Sequence, residues 1–181
     1  MSTGAGDSPK APIRIAIDAM GGDYAPREIV SGALKAAHLN PVELVLVGDQ
    51  EAVERELRQY GEGNLPISIV PSDGKIIEDE HPVRAIRNKP RASVVVATHL
   101  LKDGDVDALV SMGSTGATMA SASLILGTLE SLERPCLGGP FLGLAPSTVV
   151  VDMGSSVDCR PSLLLDFAAM GCVFAHRFLN I

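Results

Sequence analysis

The stretch "VDALVSMGSTGATMASASLIL", residues 106–126, contains the structural unit that decides the fold. An apolar run leads into "SMGSTGA", residues 111–117, and a helix-like run of small and apolar residues follows it. The segment between them has no charged residue and little side-chain bulk, which is typical of a tight connection from a buried strand to a helix. The stretch therefore predicts a β-strand, a glycine-rich turn and an α-helix in succession.

Short apolar runs separated by helical patterns recur along the rest of the chain. We expect strands at 13–18, 42–48, 66–70, 106–112 and 147–153, and helices at 26–38, 50–60, 82–88, 91–102, from the glycine-rich turn to about 127, and from 162. The strand runs do not alternate with polar residues, which indicates strands buried on both faces. The pattern predicts an α/β fold with a mostly parallel sheet and helices on both sides. It further predicts a flexible tail at 1–11 and a single domain over 12–181.

Composition and charge exclude some classes of function. Hydrophobic residues make up 46% of the 181 residues, so the chain can bury a sizeable core. The net charge of −7 argues against nucleic-acid binding that is driven by the overall charge of the protein. One segment, "HPVRAIRNKPR" at 81–91, is locally basic and contains no acid; its cations are Arg84, Arg87, Lys89 and Arg91. This basic patch is either a solvated helix face or a contact for a phosphate or an acidic partner.

The cysteines and the N-terminus indicate a cytoplasmic protein. Cys136, Cys159 and Cys172 lack metal-ligand spacing, and their odd number argues against a disulfide framework. The N-terminal residues have no apolar stretch of the kind found in signal peptides. The apolar stretch 163–178 is interrupted by charged residues, and we expect a buried helix there, not a membrane span.

Three of the expected strand ends carry glycine: "IDAMGGD" at 17–23, "VSMGSTGA" at 110–117 and "VDMGSSVD" at 151–158. The first and the third also carry aspartate. Ligands of parallel sheets bind beyond the carboxyl ends of the strands, and N–H groups at a helix start favour an anion. The second of these loops therefore predicts a small anion cradle. A structural explanation stays open, because tight turns need glycine and aspartate often caps turns and helices. The sequence matches neither G-x-G-x-x-G nor the P-loop, so no motif supports a nucleotide site.

Four blocks in register resemble a known family. They are "IAIDAMGGDYAP" at 15–26, "HPVRAIRNKPRAS" at 81–93, "VSMGSTGATMA" at 110–120 and "VDMGSSVDCRPSLLLDFAAMG" at 151–171. They resemble the PlsX family of bacterial fatty acid/phospholipid synthesis proteins, the acyl-acyl-carrier-protein:phosphate acyltransferases. The resemblance implies a three-layer α/β/α sandwich, isocitrate dehydrogenase/phosphate acetyltransferase-like. It also implies acyl transfer from acyl carrier protein to inorganic phosphate, without metal or cofactor, by a cytoplasmic homodimer that contacts the membrane peripherally.

With this resemblance, a set of residues is expected to bind phosphate or substrate: Asp18, Gly21, Gly22, Arg87, Gly113, Ser114, Thr115, Gly116, Asp152 and Gly154. Lys89 and Asp158 are the expected catalytic residues, with a role in moving protons. The acidic acyl carrier protein is the expected partner of the basic patch.

The chain departs from the family pattern at three polar positions. Ser114 and Ser156 stand where the family usually has asparagine, and Ser93 stands alone where the family has two serines. Family members also continue beyond "FAHRFLNI", so we expect this chain to correspond to an N-terminal portion with an exposed sheet edge. Two other functions remain open: a short-chain phosphate acyltransferase that uses coenzyme A, and a non-catalytic protein that binds acyl carrier protein.

Overall fold

The computed structural model describes residues 11–60, 65–141 and 145–181. The chain forms two compact units, one that ends at Ser121 and one from Ala122 to Ile181. The single domain expected over 12–181 stays a prediction. Residues 1–10 of the expected tail lie outside the described residues.

The first unit is built on a four-stranded parallel sheet. Its strands are β1 (Ile13–Asp18), β2 (Val42–Gly48), β3 (Ile67–Pro71) and β4 (Ala108–Val110). Their order is β3-β2-β1-β4, because the chain passes outward from β1 to β3 and then returns to the other side of β1. Such a reversal opens a crevice between the carboxyl ends of the two strands that flank it, and doubly wound sheets bind ligands there.

Helices cover both faces of this sheet. The helices of the first unit are α1 (Arg27–Leu39), α2 (Gln50–Tyr60), α3 (Pro82–Asn88), α4 (Ser93–Asp103) and α5 (Thr115–Ser121). Along β2, Leu44 and Leu46 pack in the cluster formed with α1 and α2, whereas Val45 and Val47 pack in the cluster formed with α4. Both faces of the strand are thus buried, which is why its sequence does not alternate. The predicted α/β class with a mostly parallel sheet and helices on both sides is confirmed.

The second unit has a small antiparallel sheet. A π-helical turn (Ala122–Leu126) precedes β5 (Gly138–Phe141), β6 (Ala145–Val151) and a long helix, α6 (Pro161–Leu179). The strand expected at 147–153 is therefore present, but it pairs antiparallel with β5. Gly138 is needed for this pairing, because a Cβ there would lie 2.3 Å from the carbonyl oxygen of Val150.

Helix α6 is less buried than its sequence predicts. Within the described residues only Leu163 and Phe167 of this helix are buried, whereas Leu165 is 72% exposed and Phe178 is 71% exposed. The expectation of a buried helix is wrong for this part of the chain. By length and apolar composition α6 could cross a membrane, a test that core helices of soluble proteins also pass. The expectation that it does not span one stays a prediction.

The core of the first unit is expected to depend on Leu46, whose side chain is fully buried between the sheet and its helices. Leu46→Ala should lower the free energy of unfolding by about 2–5 kcal/mol, because it leaves a cavity. The matched control is Leu39→Ala, since Leu39 is 81% exposed, and its effect should stay within about 0.5 kcal/mol. Urea denaturation measures both, and equal losses would contradict this account of the core.

Candidate active site

The loops that follow β1 and β4 touch through their glycine backbones. A Cβ on Gly21 would lie 2.8 Å from the backbone nitrogen of Gly113, and a Cβ on Gly113 would lie 3.2 Å from the Cα of Gly21. Gly21 has no room for a side chain, and a Cβ on Gly113 would be crowded. The two glycines therefore allow the loops to meet at the point where the strand order reverses, and they leave backbone as the surface of that crevice.

A buried carboxylate joins the same two loops. Asp18, the last residue of β1, is 2% exposed. Its Oδ2 accepts a hydrogen bond of 2.7 Å from the Ser111 hydroxyl, and its Oδ1 accepts one of 3.2 Å from the backbone N–H of Met20. The Ser111 hydroxyl oxygen in turn accepts a 3.1 Å bond from the N–H of Gly113. Asp18 thus positions the loops, and its expected contact with substrate stays a prediction.

A cleft of about 460 Å³ opens beside these glycines. One wall is formed by backbone of the two loops, at Gly21, Gly22, Gly113 and Ser114. The segment 75–79, which follows β3, also lines the cleft. Four of the expected substrate-binding residues therefore line one cleft, and Asp18 lies directly behind it.

Lys75 is a lining residue that sequence reasoning missed. Its Nζ donates a 3.3 Å hydrogen bond to the carbonyl oxygen of Gly22, so the ammonium group lies against the glycine wall. Three carboxylates also line the cleft, those of Asp23, Glu78 and Asp79. The cleft therefore does not have a uniformly positive lining. An anion in it would have to be bound by hydrogen-bond donors that point directly at it. The signal that could have revealed Lys75 was its place just after a glycine, at the carboxyl end of a parallel strand.

The residues after Gly113 begin helix α5. The Ser114 hydroxyl accepts a 3.3 Å bond from the N–H of Ala117, which is the role of a helix cap. Gly116 allows α3 to approach, because a Cβ there would lie 2.9 Å from Cγ of Pro82. Thr115 is exposed at the first position of the helix. Helix capping and packing thus account for Ser114 and Gly116, and their expected contacts with an anion stay predictions.

The basic patch divides into paired and exposed cations. Nζ of Lys89 donates to Oε1 of Glu80 at 2.7 Å and to the carbonyl oxygen of Lys75 at 3.3 Å. The pKa of Glu80 is lowered, first by the N–H of Ile77 and then by Lys89. Lys89 thus braces the 75–79 segment that lines the cleft, through Glu80 and the carbonyl of Lys75, and its expected catalytic role stays a prediction.

The arginines of the patch differ in the same way. Arg91 is paired with Asp73. Arg84 and Arg87 are exposed on α3, three residues apart and therefore on neighbouring positions of one face. Neither makes an ion pair with the residues that the structure describes. They are the cations of the patch that remain available to a partner.

The remaining expected site residues belong to the second unit. Asp152 has a left-handed backbone with a φ of 57° and accepts hydrogen bonds from the Ser155 hydroxyl and, at 3.4 Å, from Sγ of Cys159. The bond from Ser155 is the main cause that lowers the pKa of Asp152. Gly154 closes the same turn with a φ of 83°, and Asp158 is exposed. Asp152 thus organises its own loop, and the roles expected for these three residues stay predictions.

Ser111→Ala should destabilise the first unit through Asp18. The substitution removes a donor from a buried carboxylate, which is expected to cost about 1.5–3 kcal/mol of unfolding free energy. Asp18→Asn and the double variant complete a cycle whose coupling energy should be about 1 kcal/mol or more. Thr115→Ala, at an exposed neighbouring position, is the control. A coupling energy near zero by urea denaturation would contradict the role assigned to Asp18.

Known proteins resemble this chain in fold and in sequence. A phosphotransacetylase from Streptococcus pyogenes superposes with a TM-score of 0.60 and 19% identity, over 87% of this chain and 51% of that structure. At this identity the likeness shows the fold alone, and it agrees with the expected phosphate acetyltransferase-like architecture.

The curated relatives are closer in sequence. The phosphate acyltransferase of Desulforamulus reducens is 48% identical over 169 residues, which cover 93% of this chain and 50% of that protein. The phosphate acyltransferase of Pelotomaculum thermopropionicum is 46% identical, over 93% of this chain and 49% of that protein. The chain thus spans about half the length of these relatives. Residues 13–181 match the family described as fatty acid synthesis protein, and the chain belongs to that family.

Proposed function

We propose that the chain acts in a phosphate acyltransferase that moves a fatty acyl group from acyl carrier protein to inorganic phosphate. The observation that carries the proposal is the cleft between the β1 and β4 loops, whose wall is glycine backbone at the reversal of the strand order. The names of the curated relatives support the same reaction class.

Phosphate is proposed to bind against the glycine wall, with Lys75 as its cationic partner. The Nζ of Lys75 already lies 3.3 Å from the Gly22 carbonyl and can turn from this neutral acceptor to an anion. Thr115 and Gly116 directly follow Ser114, which lines the cleft. Their N–H groups, in the first turn of α5, have no acceptor within their own helix and are proposed as further donors. Directed donors of this kind can overcome the repulsion from the carboxylates at the rim.

The proposed reaction is a direct acyl transfer. An oxygen of phosphate attacks the carbonyl carbon of the thioester, so that a C–O bond forms and the C–S bond breaks. The products are acyl phosphate and the thiol of the carrier, which takes up the proton that phosphate loses. The N–H of Gly22 is proposed to stabilise the oxyanion, because backbone donors aimed at the developing charge lower the barrier. Phosphate is itself the nucleophile, so we propose that no metal or cofactor takes part.

Lys89 and Asp158 are the residues proposed to move protons, and different structural observations bear on each of the two. Lys89 braces the wall of the cleft through Glu80 and the carbonyl of Lys75. Loss of Lys89 would therefore act on the position of Lys75 as well as on any proton. Asp158 is exposed, and Asp152 and Gly154 shape the loop that precedes it.

Acyl carrier protein is proposed to dock on α3 through Arg84 and Arg87. Both side chains are exposed and make no ion pair with described residues, so they can meet an acidic surface without first losing a partner. A cytoplasmic homodimer with peripheral membrane contact also belongs to the proposal, as the family resemblance implies.

Lys75→Met should lower kcat/KM for phosphate by about 10²–10³-fold, because it removes the cation from the glycine wall. The measurement is phosphate-dependent release of thiol from palmitoyl-acyl carrier protein by the full chain. Lys102→Met, at an exposed position near the end of α4, is the control and should behave as the wild type. Unchanged turnover by Lys75→Met would place phosphate elsewhere.

The same assay separates the other functions. Turnover with acetyl-coenzyme A but not with palmitoyl-acyl carrier protein would favour the short-chain enzyme. Binding of the carrier protein without any thiol release by the folded chain would favour the non-catalytic function.

Reversal of charge on α3 should weaken use of the carrier protein. The double variant Arg84→Glu, Arg87→Glu is expected to raise KM for acyl carrier protein about tenfold at low salt, and less at high salt, because the contact is electrostatic. KM for phosphate should not change, because α3 is proposed to meet the carrier protein; a rise in it would instead support the phosphate contact expected of Arg87. Lys35→Glu, an exposed charge reversal on α1, is the control. Equal KM values for the two variants would contradict docking on α3.

A further inference from the structure

An apolar groove of about 430 Å³ runs between α1 and the face of the parallel sheet. Of the described residues that line it, only Asn40 has a polar side chain. Its walls include Ile15 and Ile17 of β1 and Val110 of β4. The volume lies within the range of small-molecule sites, roughly 300–1,000 Å³.

The groove and the polar cleft share one lining residue. Met112 lines both, so the two spaces adjoin at this side chain. The backbone carbonyl of Met112 would lie 3.2 Å, and Cδ1 of Ile29 3.8 Å, from a Cβ placed on Gly22. Met112 itself is 67% exposed, which leaves its flexible side chain free to move between the two spaces.

The groove also explains a glycine in the interior of α1. A Cβ placed on Gly32 would meet no atom of the described residues within 4 Å beyond its own helix backbone, and Gly32 has no left-handed φ. Neither packing nor backbone conformation therefore requires glycine there, although glycine destabilises a helix interior relative to alanine. Because Gly32 lines the groove, its missing side chain widens the apolar channel.

The groove is long as well as apolar. Its lining residues on α1 extend from Ile29 to Ala36, and Asn40 directly follows the helix. The separation from Ile29 to Asn40 is roughly 16 Å at the rise of an α-helix. Such a channel suits an extended hydrocarbon chain better than a compact acyl group.

We propose that this groove binds the hydrocarbon chain of the fatty acyl substrate. The carbonyl end lies at Met112, beside the glycine wall, and the methyl end points towards Asn40. This assignment rests on the proposed function, since it places the thioester where phosphate would attack.

Displacement of the fluorescent fatty acid cis-parinaric acid from the full chain tests the groove without any turnover. Octanoate, laurate and palmitate should compete with increasing affinity, about fourfold for each methylene that is buried. Gly32→Leu fills the groove and should weaken palmitate binding at least about tenfold, equivalent to roughly two methylenes. Lys35→Leu adds the same side chain to an exposed position of the same helix that does not line the groove, and should bind as the wild type.

Two results would overturn the proposal. One is a wild-type chain that binds no cis-parinaric acid, as expected if a second copy or another part of the chain covers the groove. The other is palmitate binding that is equal in the wild type, Gly32→Leu and a second blocking variant, Ala36→Leu. Leucine favours helix over glycine, so thermal unfolding of Gly32→Leu should confirm an intact fold. Binding that depends on Gly32, in a chain that makes no acyl phosphate, would instead refute the proposed function and leave the groove site standing.

Discussion

The contact between Gly21 and Gly113 is the constraint on which the candidate site depends. The parallel pairing of β1 with β4 brings their carboxyl ends side by side, and the absence of two side chains lets the following loops touch. The buried Asp18 then joins the loops through the Ser111 hydroxyl. A side chain at Gly21 would separate the loops, and with them the wall of the cleft.

Around this contact the first unit places two different environments next to each other. The cleft offers backbone, one lysine and several carboxylates, whereas the groove along α1 offers almost only hydrocarbon. Met112 lies at the boundary of the two. An acyl thioester has the same division, with a polar carbonyl at one end of an apolar chain. The β1 and β4 loops, the 75–79 segment and α1 are therefore the elements proposed to bind the phosphate and the acyl chain.

The fold could be predicted because its strands are buried on both faces, so that apolar runs such as "VELVLVG" mark them directly. The loops of the site could be predicted because glycine follows two of those strands, β1 and β4. Lys75 and the brace from Lys89 to Glu80 could not, since they depend on how a polar segment folds back across the sheet. The pattern also cannot separate a glycine that meets a ligand from Gly116, which makes room for Pro82. The exposure of α6 could not be predicted, because an apolar helix sequence is the same whether or not other residues cover the helix.

The most direct test of this account is a crystal structure of the full chain with a fatty acyl phosphate bound. We expect the phosphoryl group against the glycine wall between Gly22 and Gly113, within hydrogen-bond distance of Nζ of Lys75, and the acyl chain along α1. A phosphoryl group bound away from this cleft, with the Gly21–Gly113 contact unchanged, would contradict the central claim that this contact builds the site.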